Sequence, residues 1–596
     1  MRQQTNGLQP PPCRRIRSRV LIIALAFGLA PPPTGYAQTY AQNAAPANVQ
    51  AQTPTETQAT ELRGTAAAEP ITQAADVRTI ATVKEAVVVL LADPDTLTLP
   101  VRKQLEPLRA YYGEPSSLLL WDDEERAASF LLRLENARFD GLDAADYPTG
   151  SLQDVRAPNR FALSRDAQLV QAANAELYWS AFFLKYATEI KVGRFLPTKI
   201  DPKLYWQPKT INQAAALELL SALQSLDQFV EAWEPQIPDY KLLKIALTDY
   251  LAIYEHGGWG RVPVGQTLLK PGDTSDAVPA LRMRLAATDG VDPGTEPDRT
   301  TTYSDDLLAA VKRFQTRHGL AADGVVGKQT YFQLNIPVEE RIRQIALSME
   351  RWRWMPEALG NHYVMVNIAG FELKRVRGNE IEETMRVVVG KPYHQTPVFS
   401  EAMDYVEINP YWNVPRSIAV NEELAKLKAN PGGLAAKGIE ALQDDKPIPV
   451  TAINWAPYSK SNFPFRLRQK PGPQNALGRV KFMFPNRFNV YMHDTPARSL
   501  FSRDERAFSH GCIRLARPID FAEQILAAVP GWDRPRIDAV LATGKRTVVS
   551  LKQPIQVHLT YSTAWREVNG EINFRPDIYR RDAKLSSTLF GKPYAY

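Results

Sequence analysis

The 596-residue chain is short of cysteine, holding only Cys13 and Cys512. That excludes a small domain stapled by disulfides and a zinc scaffold built on several paired cysteines. Histidine is scarce as well, with seven residues in all, so any that gather near a cysteine carry information. Long apolar runs are missing. The longest, Val20–Ala30, has eleven residues, whereas a bilayer crossing needs about 20. A lasting excess of either charge is also absent. Lys and Arg number 71 against 65 Asp and Glu, a net charge of +6, but Arg2, Arg14, Arg15, Arg17 and Arg19 all fall within residues 1–37, which hold no acid. Without that segment the balance is 66 to 65, which removes the case for a nucleic-acid partner. What remains is enough chain for several domains at roughly 100–200 residues each.

Residues 1–37 combine a basic start, a short apolar core and Gly35-Tyr36-Ala37, the pattern of a secretory signal peptide. Cleavage near Ala37 and a periplasmic location are the expectation, with the membrane met only during export. An uncleaved N-terminal anchor is the competing reading. Cys13 precedes the apolar core and leaves with the signal, so Cys512 has no partner cysteine in the exported chain. Residues 38–76, rich in Ala, Gln, Thr and Pro, bury too little to offset their ordering entropy and are expected to be a disordered tether.

Residues 77–263 read as a helical scaffold. Glu125–Asn136 and Ala167–Val192 carry apolar side chains at three-to-four spacing, and Trp179, Phe182 and Phe183 are expected in its core. In 264–336, Gly272-Asp273, Val278, Leu281, Ala310-Val311, Phe314-Gln315, Gly319-Leu320, Asp323-Gly324-Val325-Val326-Gly327, Thr330 and Leu334 resemble the small three-helix peptidoglycan-binding module. The competing reading is a helical bundle without a ligand. From 337 to 596 a helix leads into a strand-rich region, with a hairpin at His362–Ile368 and Phe371–Arg375 and further strands at Met385–Val389, Tyr405–Ile408 and Phe488–His493. About 413–479 reads as a helical and loop-rich insertion that covers a cleft. The expected fold class is multidomain α+β with a mainly-β catalytic domain.

The chemistry concentrates in Tyr491-Met492-His493-Asp494-Thr495 and Phe508-Ser509-His510-Gly511-Cys512-Ile513-Arg514-Leu515. A free thiol at a glycine turn, with His493 and His510 close in sequence, suits a nucleophile activated by imidazole. Gly511 permits a tight turn that aims N–H groups at an oxyanion. A buried inert cysteine and a zinc site on His493, His510 and Cys512 compete with this, the second without the usual paired-cysteine spacing. No metal and no cofactor is expected.

These residues resemble the signature of the L,D-transpeptidase (YkuD-like) catalytic domain. The scaffold, the binding module, the insertion and Asn409-Pro410-Tyr411-Trp412-Asn413-Val414-Pro415 are similar to its long, YcbB-like branch. The resemblance implies that Cys512 is the nucleophile and His493 the base, oriented by a backbone carbonyl at Asp494, where relatives commonly have Gly or Ser. The Asp494 side chain faces solvent or caps a turn in the competing view. His510 is the rival base, or with Ser509 shapes the turn and meets substrate. Tyr491 faces the same side as His493 and either helps the oxyanion or packs. Arg514 clamps a substrate carboxylate or makes a structural ion pair, and Trp412 and Asn413 border the acyl pocket or, for Trp412, the core. The implied reaction joins peptidoglycan tetrapeptide stems, donor and acceptor, through a Cys512 thioester, releases D-alanine and forms 3-3 crosslinks. Acylation of Cys512 by carbapenems and a partnership with cell-wall synthases go with it. An L,D-carboxypeptidase, a protein-to-wall ligase and a non-catalytic wall-binding scaffold remain open.

Overall fold

The computed structural model describes residues 81–156, 164–264, 268–293 and 301–591. The expected signal peptide and tether lie outside them. Among the described residues no helix is long and apolar enough to cross a membrane.

The first part is helical, as its periodicity predicts. Thr82 opens helix Val83–Ala92 with a reciprocal capping box to Glu85, and Ser164 caps the long helix Arg165–Val192. Trp121, Phe130, Trp179 and Phe183 form its aromatic centre, with Trp121 and Phe130 stacked at 5.1 Å. Helices Ala277–Ala286, Asp305–Arg317 and Lys328–Leu334 follow and close on Val278, Leu281, Val311, Phe314 and Leu334. Here the Gln315 side-chain oxygen Oε1 accepts the Gly324 N–H at 2.8 Å, tying the glycine loop to the bundle.

Helix Val338–Trp354 then leads into a nine-stranded sheet. Its strands are β1 (His362–Asn367), β2 (Glu372–Arg377), β3 (Glu380–Gly390), β4 (Phe399–Ile408), β5 (Val480–Met483), β6 (Met492–His493), β7 (Ala507–Ser509), β8 (Ile513–Leu515) and β9 (Thr547–Thr560). The spatial order is β7-β3-β8-β6-β5-β4-β9-β1-β2, and β2 also pairs with β3, so eight strands close on themselves. Such closure removes open edges. The central strand β9 comes from the C-terminal end of the chain, pairing with β1 in parallel and with β4 in antiparallel fashion.

Two elements differ from the sequence reading. The strand expected over Phe488–His493 is reduced to Met492–His493, because Asn489 adopts a left-handed backbone (φ 53°) and breaks extension. The segment between β4 and β5 is not only helix and loop. It holds a four-stranded antiparallel sheet, from Trp412–Val414, Ile439–Gln443, Lys446–Pro449 and Arg466–Gln469, around a core including Leu427, Trp455, Phe463 and Leu467. Strands of three to five residues between turns leave too little alternation to be legible in sequence.

Candidate active site

Strands β6 and β8 run side by side in parallel, with Met492 opposite Ile513 and His493 opposite Arg514. Since successive side chains alternate faces, Tyr491, His493, Cys512 and Arg514 project from one face as a quartet. The rings of Tyr491 and His493 stand 5.7 Å apart. The Ile513 N–H donates to the Tyr491 carbonyl at 3.1 Å, which pins the cysteine turn to the histidine strand. Cys512 Sγ lies 3.9 Å from the Asn489 carbonyl oxygen.

Cys512 follows a glycine that has to be one. Gly511 has φ 121°, although a Cβ there would meet nothing closer than 3.9 Å; backbone conformation, not crowding, selects the residue. Ser509 fastens the turn from inside. Its Oγ donates to the Cys512 carbonyl at 2.5 Å and accepts the Gly511 N–H at 3.0 Å. The Gly511 amide, expected to face an oxyanion, is therefore already engaged. The Cys512 amide has no hydrogen-bond partner among the described residues, and it is the donor left at this turn.

A second layer supports the turn, and the sequence reading missed it. Thr396 Oγ1 donates to the Gly511 carbonyl at 2.9 Å and accepts the Gly390 N–H at 2.9 Å, while the Tyr579 hydroxyl donates to the Gly390 carbonyl at 2.5 Å. Gly390 has no room for a side chain, since a Cβ would lie 1.9 Å from the His394 carbonyl. Residues 390, 396 and 579 are too far apart in sequence from 511 for any motif to flag them.

His493 is 4 % exposed, and its Nδ1 lies 2.5 Å from the Asp494 carbonyl oxygen. A carbonyl only accepts, so Nδ1 carries the proton and Nε2 the lone pair. Burial, then the neighbouring Arg514 and Lys481 cations, lower its pKa to about 3. The Asp494 side chain is buried and does other work. Its Oδ2 accepts the Arg479 N–H at 2.9 Å and its Oδ1 the Thr495 N–H at 2.7 Å, with Arg479 and Arg498 guanidinium groups at 3.6 and 3.4 Å. It caps a turn, and does not face solvent. Burial pushes the Cys512 thiol above its ordinary value, opposed by Tyr491, Lys481 and Arg514.

Arg514 has no carboxylate within ion-pair distance among the described residues, and its Nε is buried without a hydrogen-bond partner. The residue beside it that sequence did not single out is Lys481. It pairs with His493 on one side and Glu407 on the other, and its Nζ lies 4.1 Å from the Tyr491 ring centroid.

His510 turns away from the quartet. Its Nε2 lies 2.7 Å from Glu422 Oε1 in the insertion, and its ring stands 4.8 Å from that of His394. Trp412 and Asn413 lie on the first strand of the insertion sheet, opposite Gln469 and Arg468. Trp412 packs on the insertion's own core and Asn413 is exposed. Neither has a hydrogen bond or ring contact with the quartet among the described residues. No group of three metal-ligating side chains occurs among the described residues.

Comparison with known proteins matches three families along the chain. Residues 361–549 match the L,D-transpeptidase catalytic domain (YkuD), 106–247 a scaffold domain and 274–334 the family described as "Putative peptidoglycan binding domain". A Haemophilus influenzae protein named "Putative L,D-transpeptidase" is 34% identical over 245 residues, 41% of this chain and 49% of that protein. The chain thus spans about half the length of that relative. Among solved structures, an L,D-transpeptidase from Xylanimonas cellulosilytica is similar at 15% identity and TM-score 0.16 over 50% of this chain and all of that one. The structure titled as the Ldtfm-avibactam carbamoyl enzyme is similar at 10% identity and TM-score 0.16, over 35% of this chain and 51% of that one. Scores that low carry no argument about the fold.

Proposed function

With residues 361–549 belonging to the YkuD family of L,D-transpeptidase catalytic domains, we propose that the chain crosslinks peptidoglycan stem peptides outside the cytoplasm, through a thioester on Cys512. The observation that carries this is the quartet: a half-buried thiol, a neutral histidine fixed in one tautomer, and an unpaired arginine on one face of two adjacent strands.

In this reading, the Cys512 thiol gives its proton to His493 Nε2 as sulfur attacks the carbonyl carbon of the third residue of a tetrapeptide stem. The oxyanion forms against the Cys512 N–H. One oriented donor of this kind contributes about 3–4 kcal/mol in comparable sites. The C–N bond breaks, the proton on His493 passes to the departing amine, and D-alanine leaves. A side-chain amine of a second stem then attacks the thioester, and His493 takes a proton from it while sulfur departs. Arg514 holds a donor carboxylate, since it is the one quartet member with an unused donor and no carboxylate partner. The insertion, tied to the turn through Glu422 and His510, keeps water from the thioester. The helical module at 274–334 holds the wall. Carbapenems, which present an acylating carbonyl, acylate the same sulfur.

The test incubates the protein and its Cys512→Ala variant with disaccharide-tetrapeptide and follows products by mass spectrometry. Dimers with loss of D-alanine from the wild type alone are expected. Dimers from both proteins, or from neither, overturn the reading; tripeptide monomers alone make the chain a carboxypeptidase.

A further inference from the structure

His493 leaves a problem of charge. A cysteine attacks as its thiolate, and the familiar counter-ion is an imidazolium. Here that imidazolium is disfavoured, because His493 is buried between the side chains of Arg514 and Lys481. A positive charge that does not depend on His493 has to stand near the sulfur.

Lys481 has the position for it. On β5 it lies in register with His493 on β6 and Glu407 on β4, which puts its side chain on the quartet's face. The side chain is 15% exposed. It reaches past the His493 row to bring Nζ within 4.1 Å of the Tyr491 ring centroid, and the Tyr491 carbonyl accepts the N–H of Ile513, the residue after Cys512. Glu407 Oε2 lies 3.9 Å from Nζ, at the outer limit of an ion pair, and its other oxygen Oε1 is hydrogen-bonded to Arg546 Nε. The carboxylate therefore anchors the lysine from behind and is shared with a second cation, so the ammonium charge facing the site is not cancelled.

We propose that Lys481 is a positioning residue for the nucleophile: its ammonium, held over the Tyr491 ring by Glu407, is the fixed charge that stabilises the Cys512 thiolate. It acts in two ways. Its charge favours the anion directly at short range. It also holds the Tyr491 ring beside the cysteine turn through the cation–π contact. Arg514 faces the sulfur from its own strand, so Lys481 and Arg514 divide the charge, with Lys481 free to stay in place when Arg514 engages a substrate carboxylate. The groups around Nζ are then His493 on β6 with Tyr491 just before it, Arg514 on β8 with Cys512 just before it, Glu407 on β4, and Arg546 behind it.

The inference rests on Cys512 being the nucleophile, but its test needs no peptidoglycan. The rate of Cys512 alkylation by iodoacetamide is followed against pH, by mass spectrometry of the Cys512 peptide, in wild type, Lys481→Met and Lys481→Arg. Lys481→Met should move the midpoint up by about one pH unit or more, so that alkylation near neutral pH slows about tenfold. Lys481→Arg should restore at least a third of the wild-type rate. Lys481→Gln, a polar neutral replacement, should raise the midpoint too, and it guards against a Lys481→Met protein that does not fold. An unmoved midpoint in Lys481→Met, or in Lys481→Gln where Lys481→Met does not fold, or a Lys481→Arg profile as displaced as that of Lys481→Met, overturns the proposal. Failed transpeptidation with an intact shift would sink the proposed function and leave this inference standing.

Discussion

His510 Nε2 and Glu422 Oε1 stand 2.7 Å apart across 88 residues of sequence, joining the residue before Gly511 to the insertion between β4 and β5. Glu422 belongs to a single π-helical turn, Ala419–Glu423, a geometry that often marks functional positions. The pair is partly exposed, so its stability contribution is small, at most about 1 kcal/mol. Its consequence is for the insertion's position. Glu422→Ala should leave the melting temperature within about 2 °C, while the ratio of hydrolysed to transferred acyl groups rises several-fold. Equal product ratios in the two proteins would show that the contact does not control water entry.

His493 makes a pH prediction whose sign follows from burial. Its folded pKa is depressed to about 3, below the roughly 6.5 of an exposed histidine. Between those values the unfolded chain binds a proton that the folded chain refuses, so stability rises with pH from about 3 and reaches its full value above about 6.5. His493→Gln should flatten this slope in urea melts from pH 4 to 6.5 while abolishing at least 99% of activity. His318 is buried with the same direction of shift, so a residual slope remains in the variant. A slope identical to wild type would mean that His493 titrates normally.

How much of this was legible in sequence depends on distance along the chain. Cys512, Gly511 and His493 stood out because one scarce residue type, one turn former and one base fall within 20 residues and β6 and β8 are neighbours. The Asp494 carbonyl expected beside the base lies 2.5 Å from His493 Nδ1, while its carboxylate, split in expectation between solvent and a cap, accepts two backbone N–H groups as a cap does. Lys481 was invisible because a lysine three residues before Phe484-Pro485 reads as surface charge; only the register of β5 with β6 brings it inward. Thr396 and Tyr579 reach the turn through a barrel closed by a strand from the C-terminal end, which no local pattern encodes. Trp412 and Asn413 drew notice through family likeness, yet they belong to a sheet whose short strands hid it.

Thr396 should separate positioning from binding. It bonds the Gly511 carbonyl and the Gly390 N–H at once, so Thr396→Val keeps the shape and strands two buried backbone groups. The expected cost is about 1–3 kcal/mol of stability. With the Cys512 amide no longer held in place, kcat should fall about tenfold or more and KM should change little. Thr396→Ser, which keeps the hydroxyl, should recover most of kcat. A rise in KM at constant kcat would place Thr396 in substrate binding instead.

Asp494 offers a sharper division, because its carbonyl and carboxylate have different tasks. The carbonyl fixes the His493 tautomer, and any side chain provides one. The carboxylate accepts two backbone N–H groups and faces Arg479 and Arg498, which are 59% and 52% exposed. Exposed guanidinium partners contribute little, but Asp494→Asn keeps one accepting oxygen and turns an NH2 toward the other backbone N–H, so it should cost about 1 kcal/mol. Its activity should stay within threefold of wild type. Asp494→Gly should lose more, about 2 kcal/mol, since the Arg479 and Thr495 amides then lack an acceptor. Gly478 limits any larger replacement, because a Cβ at 478 would already fall 2.4 Å from the Asp494 carboxyl carbon; the Gly478 backbone packs that closely on the Asp494 side chain. A loss of activity in Asp494→Asn matching that of His493→Gln would mean that the carboxylate itself takes part in proton transfer, and the carbonyl assignment would fail.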